Sequence, residues 1–210
     1  MRPVIVSAFE PFHDEKVNPT ESVLAELPDF LYDARIIKVT LPVVYGHAFE
    51  VLLSLIEEHD PRLIIMLGLA KGRTHVSIER IAINAQDASI ADNAGTTKRF
   101  NRIVEGGPDG LFTTLPLERI MTRLKQKHVP AIVSNTAGAY VCNDVFYRVI
   151  YHVKNQGLRT NVGFVHMPML PEDAAAQAGV PALDRKHTIE AVTTVIDTVM
   201  NPLVNEVRQP

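Results

Sequence analysis

Only one of the 210 residues is a cysteine, Cys142, and none is a tryptophan. A lone cysteine excludes an internal disulfide and fits a reducing compartment. With no C-x-x-C or H-x-x-x-H pair beside it, a structural zinc site is excluded as well, and no metal or cofactor is expected. Neither sign of charge dominates. A net charge of −3 leaves no basic footprint for nucleic acid or an anionic membrane surface. No apolar run approaches the roughly 20 residues of a membrane-spanning helix. The short apolar stretch before Glu10 is not a signal peptide. The Gly-rich loop Gly68–Arg73 lacks G-x-G-x-x-G, so no dinucleotide fingerprint is present. Repeats, low-complexity tracts and linkers are also missing. With 46% hydrophobic and 21% charged residues, the composition predicts a cytoplasmic globular protein, a single domain over 1–210.

Strands and helices alternate along the chain. Pro3–Ala8, Ala34–Leu41, Leu63–Leu67 and Thr160–Pro168 read as strands, most of them continuous apolar runs suited to a sheet covered on both faces. Helices are predicted from the Asn18-Pro19-Thr20 start to near Pro28, over Tyr45–His59, over Pro116–Lys127, and from Arg185 to about Val207 with a kink at Pro202. Val76–Ala85 alternates apolar and polar residues as one strand, and the region 74–104 is hairpin-like. The polar stretch 87–110 has no clear periodicity, and is read as a lid or a subunit contact. The pattern predicts an α/β fold, a three-layer α/β/α sandwich around a twisted, mostly parallel sheet with some antiparallel strands.

The chain is organised around Ser134–Asn143. Val129–Val133 is a short branched strand, and Asp144–Lys154 carries one apolar helical face ended by Gly157. Cys142 therefore falls in the first turn of a helix, whose partial positive charge lowers a thiol pKa and favours the thiolate. The small residues Gly138 and Ala139 would let backbone N–H groups approach an oxyanion. The other reading of Cys142 is an inert buried side chain. Glu79, in its alternating strand, is either a solvated outward carboxylate or a functional one. His166, at a strand's carboxyl end, is either a satisfied structural residue or a base. Phe9 and Phe12 flank Pro11 in a loop after the first strand, as a plug or as the walls of a flat pocket. Thiol catalysis needs a nucleophile, a base and a group that orients the base, and Cys142, His166 and Glu79 can fill these roles from three separate elements.

The Ser134-Asn135-Thr136-Ala137-Gly138-Ala139-Tyr140-Val141-Cys142-Asn143 segment resembles the cysteine signature of the pyroglutamyl-peptidase family. Ser77–Asn84 resembles its glutamate signature, Phe164–Pro168 its histidine motif, and Phe9–Phe12 with Asn18-Pro19-Thr20 its N-terminus. The four occur in the family's order over nearly the whole chain. The resemblance implies a cytosolic, cofactor-free cysteine exopeptidase that removes N-terminal pyroglutamyl residues from peptides, frequently a homotetramer or otherwise a homo-oligomer. It implies Cys142 as nucleophile, His166 as base then acid, and Glu79 as the orienting carboxylate. Phe9, Phe12, Leu69 and Val141 are the expected substrate-binding residues. The chain departs from the family at Leu69, where a glutamine is usual, at Lys71-Gly72-Arg73 for Gly-Gly-Arg, and at Ser89 in place of an arginine. His13 and Asp14 stand where glycines are usual. These departures concern the pocket and its rim. The competing readings are another cysteine amidohydrolase with altered acyl specificity and a catalytically silent binding protein.

Overall fold

The computed structural model describes residues 2–201 except Ala176 and Ala178. Strand β1 (Val4–Phe9) is buried along its whole length. Asn18 caps helix α1 (Pro19–Glu26) by accepting from the Thr20 N–H, as its type and position predict. A two-residue strand, β2 (Phe30–Leu31), pairs antiparallel with β3 (Ala34–Leu41). Helix α2 (His47–His59) starts after Gly46, slightly later than expected, and leads into β4 (Leu63–Leu69).

The predicted strand over 76–85 is two strands. β5 (Val76–Glu79) belongs to the main sheet, whereas β6 (Ile81–Ile83) leaves it and pairs antiparallel with β7 (Gly110–Phe112). Helix α3 (Leu117–Gln126) takes Pro116 as its N-cap residue, and β8 (Ala131–Ser134) follows. Helix α4 (Val141–Asn155) begins earlier than its apolar periodicity indicates, and β9 (Asn161–Met167) comes next. A single turn, α5 (Pro171–Ala174), follows β9, and α6 (Arg185–Met200) closes the described chain. The expected kink at Pro202 and the end near Val207 lie outside the described residues.

The main sheet has the order β2-β3-β1-β4-β9-β5-β8. β3, β1, β4 and β9 run parallel, while β5 is antiparallel to β9 and parallel to β8. Alternation along the central strands divides the core between the two faces. Val4, Val6, Leu63, Ile65 and Leu67 pack in one cluster, with apolar residues of α1, α3 and α6. Ile5, Phe9, Ile64 and Met66 pack on the other side with those of α2 and α4. Helices therefore cover both faces of a mixed, mostly parallel sheet, as the sequence predicts. Among the described residues, no helix is long and apolar enough to cross a membrane.

Candidate active site

β1, β4 and β9 run side by side, and their carboxyl ends deliver Phe9, Leu69 and His166 to one end of the sheet. Gly68 of β4 lies in register opposite His166 of β9. A Cβ on Gly68 would sit 2.7 Å from Phe164 Cε1 and 2.8 Å from His166 Cδ2, so both rings occupy the space that glycine leaves open. The His166 and Phe164 rings are themselves 4.6 Å apart, centroid to centroid. On the other flank of β9, Ser77 pairs with His166, which brings Glu79, two residues along the same face, to the imidazole.

Glu79 is fully buried, not solvated, and its Oε1 is 2.8 Å from His166 Nδ1. The same oxygen accepts from Arg73 Nη1 at 2.9 Å, while Arg73 Nη2 reaches the Thr136 carbonyl. Burial alone would raise the Glu79 pKa. The hydrogen bond and charge of His166, with Arg73, outweigh it and hold the carboxyl below its usual range. Burial pulls His166 below its usual value, and Glu79, pulling upward, does not fully offset that. The imidazole is thus neutral at pH 7 beside an ionised carboxylate. A carboxylate only accepts, so Nδ1 carries the proton and Nε2 keeps its lone pair.

Cys142 is half-buried, second residue of α4, after a loop in which Gly138 takes a φ of 79°. Burial pushes its thiol up to about 12, with the Glu79 charge adding to the rise; its own backbone N–H and Arg73 act in the opposite direction. The expectation of a helix-lowered thiolate is therefore corrected: desolvation and a nearby carboxylate exceed the pull of the helix start. Among the described residues, no hydrogen bond joins Cys142 Sγ to His166. The Gly138 N–H, an expected oxyanion donor, already donates to Thr136 Oγ1. The N–H groups of Val141 and Cys142 have no intrahelical partner, because they lie in the first turn of α4.

Phe9, Phe12, Leu69 and Val141, the four predicted pocket residues, line one pocket with Cys142. Asn18, Val43 and Tyr140 complete its walls. Asn18 was legible only as a helix cap, and Tyr140 only as part of the cysteine segment. Tyr140 stacks at a tilt on Phe12 and edge-on to Tyr45, and its hydroxyl donates to the Ala91 carbonyl. Ser89 is exposed and is not among the pocket's walls. Arg73, read as part of a loop and as the arginine of the Lys71-Gly72-Arg73 stretch but with no role, proves to be an anchor of Glu79. No signal in its surroundings shows this, since the pairing depends on how the 70–75 loop turns back.

The stretch 87–110 is tied to the site's outer wall rather than free. Asp87 N–H donates to Ala139, Tyr45 N–H to Asp92, and the Asn93 side chain to Glu10 and Pro11. Behind the cysteine, Asn143 bonds the backbone of Ile83 and Ala85, and Asp144 takes bonds from Gln86, Gly46 and Arg148.

A family model described as pyroglutamyl peptidase matches residues 2–202. The pyrrolidone-carboxylate peptidase of Pyrococcus furiosus is 41% identical over 206 residues, covering 96% of this chain and 99% of that protein. That of Klebsiella pneumoniae is 41% identical over 207 residues, covering 98% and 96%. A solved structure of a mutant pyrrolidone carboxyl peptidase from Pyrococcus furiosus superposes with a TM-score of 0.92 at 40% identity, covering 96% of this chain and all of that one. The chain belongs to the pyroglutamyl peptidase family of cysteine peptidases.

Proposed function

We propose that this chain, as a single catalytic domain, removes N-terminal pyroglutamyl residues from peptides with Cys142 as nucleophile, His166 as proton carrier and Glu79 as the group that orients it. The observation that carries this reading is the Glu79–His166 contact of 2.8 Å beside a pocket that ends at Cys142. In the resting enzyme the thiol and imidazole are both neutral. Closing of the ring onto Sγ, with the lactam seated between Phe9 and Phe12, lets Nε2 take the thiol proton as sulfur attacks the acyl carbonyl. Backbone N–H groups at the start of α4 face the oxygen that becomes negative. Glu79, itself held by Arg73, stabilises the imidazolium, which then protonates the departing amine. Water enters, His166 takes its proton, and the thioester is hydrolysed.

A pyroglutamyl group has no charged amine, which suits walls built mostly of apolar side chains. Such an enzyme acts in the cytoplasm on N-terminally pyroglutamylated peptides and assembles as a homo-oligomer, a tetramer or dimer. Turnover of a pyroglutamyl–aminomethylcoumarin substrate in reducing buffer tests the reading. The wild type hydrolyses it and Cys142→Ser loses at least about 10³-fold. A folded wild type without turnover contradicts it.

A further inference from the structure

The acyl pocket holds few polar side-chain atoms, and most of them are spoken for. Asn18 Oδ1 already accepts from both the N–H and the hydroxyl of Thr20, and Nδ2 donates to the Glu10 carbonyl, keeping one N–H to spare. The backbone of Val43 is used on both sides: its N–H donates to Glu10 Oε1, and its carbonyl accepts from Asn93 N–H. The Phe12 carbonyl accepts from Glu15 N–H. Tyr140 spends its hydroxyl proton on Ala91. A ring carbonyl entering this pocket can therefore find a side-chain donor in Asn18, whereas the one side-chain acceptor left to a ring N–H is the Tyr140 hydroxyl oxygen, which is held at the Ala91 carbonyl on the exposed side.

We propose that this pocket recognises a five-membered cyclic acyl group by shape and by its ring carbonyl, leaving the ring N–H unread, and that Leu69 is the residue that sets this breadth. The inference deepens the pyroglutamyl reading above and rests on it. Leu69 ends β4 and is almost buried against Met169 and Phe12. It borders both the acyl pocket and the adjoining groove of His13, Asp14, Glu15 and Lys71. An amide of similar length there could present an oxygen to the ring while its nitrogen met the polar groove, but a leucine presents only methyl groups. Binding a lactam then strands its N–H away from water, a cost that a ring with CH₂ in place of N–H escapes. The substrate class thus extends to 3-oxocyclopentanecarbonyl amides. The chemistry is unchanged: the Cys142 thioester forms, the acyl–amide bond breaks, and the amine leaves with the proton carried by His166.

The test compares kcat/KM for pyroglutamyl–aminomethylcoumarin with that for the 3-oxocyclopentanecarbonyl analogue. A site that hydrogen-bonds a substrate N–H rejects the analogue lacking it by about 10⁴-fold, whereas this pocket is expected to hold the two within about thirtyfold. Leu69→Gln is expected to widen the ratio by about tenfold or more in favour of pyroglutamyl, and Leu69→Met to leave it at the wild-type value. A wild-type ratio above about thirtyfold overturns the inference while leaving the pyroglutamyl reading intact, because a backbone acceptor must then read the N–H. A folded Leu69→Gln enzyme with the wild-type ratio removes Leu69 as the determinant. If that variant does not fold, the wild-type ratio decides alone. Failure of the wild type to cleave either substrate overturns the underlying pyroglutamyl reading instead.

Discussion

Two opposing effects act on the Cys142 thiol, and their balance distinguishes this site from one with a preformed thiolate. The helix start favours the anion; burial and Glu79 disfavour it, and they prevail at about 12. Alkylation of the free enzyme by iodoacetamide should therefore keep rising through pH 9 without a plateau, and a midpoint below 7 would contradict the neutral-thiol account. His166 must be neutral to act as base, and burial keeps it below its ordinary 6.5. The acidic limb of kcat/KM then falls at a midpoint below 6.5. Glu79→Gln removes the charge that draws the imidazole upward, so the limb should move to still lower pH, with kcat down on the order of 10³–10⁴-fold. A limb that moves upward would show that Glu79 does not face His166 as described. These balances were not legible in the sequence. Helix position is local and can be read, but desolvation is set by residues far along the chain.

At the scale of elements, apolar runs announced β1, β4 and β9 because central strands covered on both faces leave little room for polar residues, whereas β3, with Arg35, Lys38 and Thr40, is only partly buried. The division at Arg80 leaves only a faint mark in the sequence: the apolar–polar alternation breaks there, with Glu79-Arg80 both polar and Ile81-Ala82-Ile83 all apolar, as the chain passes from one sheet to another. β2 and α5 are too short to carry a period. The motif segments placed Cys142, His166 and Glu79 on their elements, whereas Arg73 and Val43 are reached only through tertiary turns. Gly68 is an element-scale requirement: the strand must lack a Cβ for Phe164 and His166 to lie as they do. Gly68→Ala should displace the imidazole and cut kcat by about tenfold or more with KM less affected. Unchanged kcat would show that the ring has room to give. Asn143, fully buried, joins α4 to the backbone of Ile83 and Ala85. Asn143→Ala should cost about 2–3 kcal/mol in urea unfolding by leaving those groups unpaired, and a loss below about 0.5 would refute that role.

For the whole molecule, the site that performs the chemistry also ties stability to pH. His166 in the folded state binds a proton less readily than in the unfolded chain, so folding loses stability as pH falls below 6.5. Glu79, held low, contributes stability above its ordinary 4.5 that is lost as pH falls further toward its folded value. The urea midpoint should decline from pH 7 to 5, and His166→Gln should flatten that part of the curve; an equally steep decline in the variant would place the sensitivity elsewhere. The layered fold was legible in full outline because strand and helix alternation constrains topology strongly. The role of the 87–110 stretch was not, since its attachments to Ala139, Tyr45 and Glu10 follow no period. The central claim is that peptide-bound pyroglutamate passes onto Cys142. Rapid acid quenching during turnover, followed by peptide mapping by mass spectrometry, tests it most directly. The account predicts a pyroglutamyl thioester on the peptide containing Cys142, absent from Cys142→Ser; turnover with no such adduct in the wild type, or with the adduct on another residue, would contradict it.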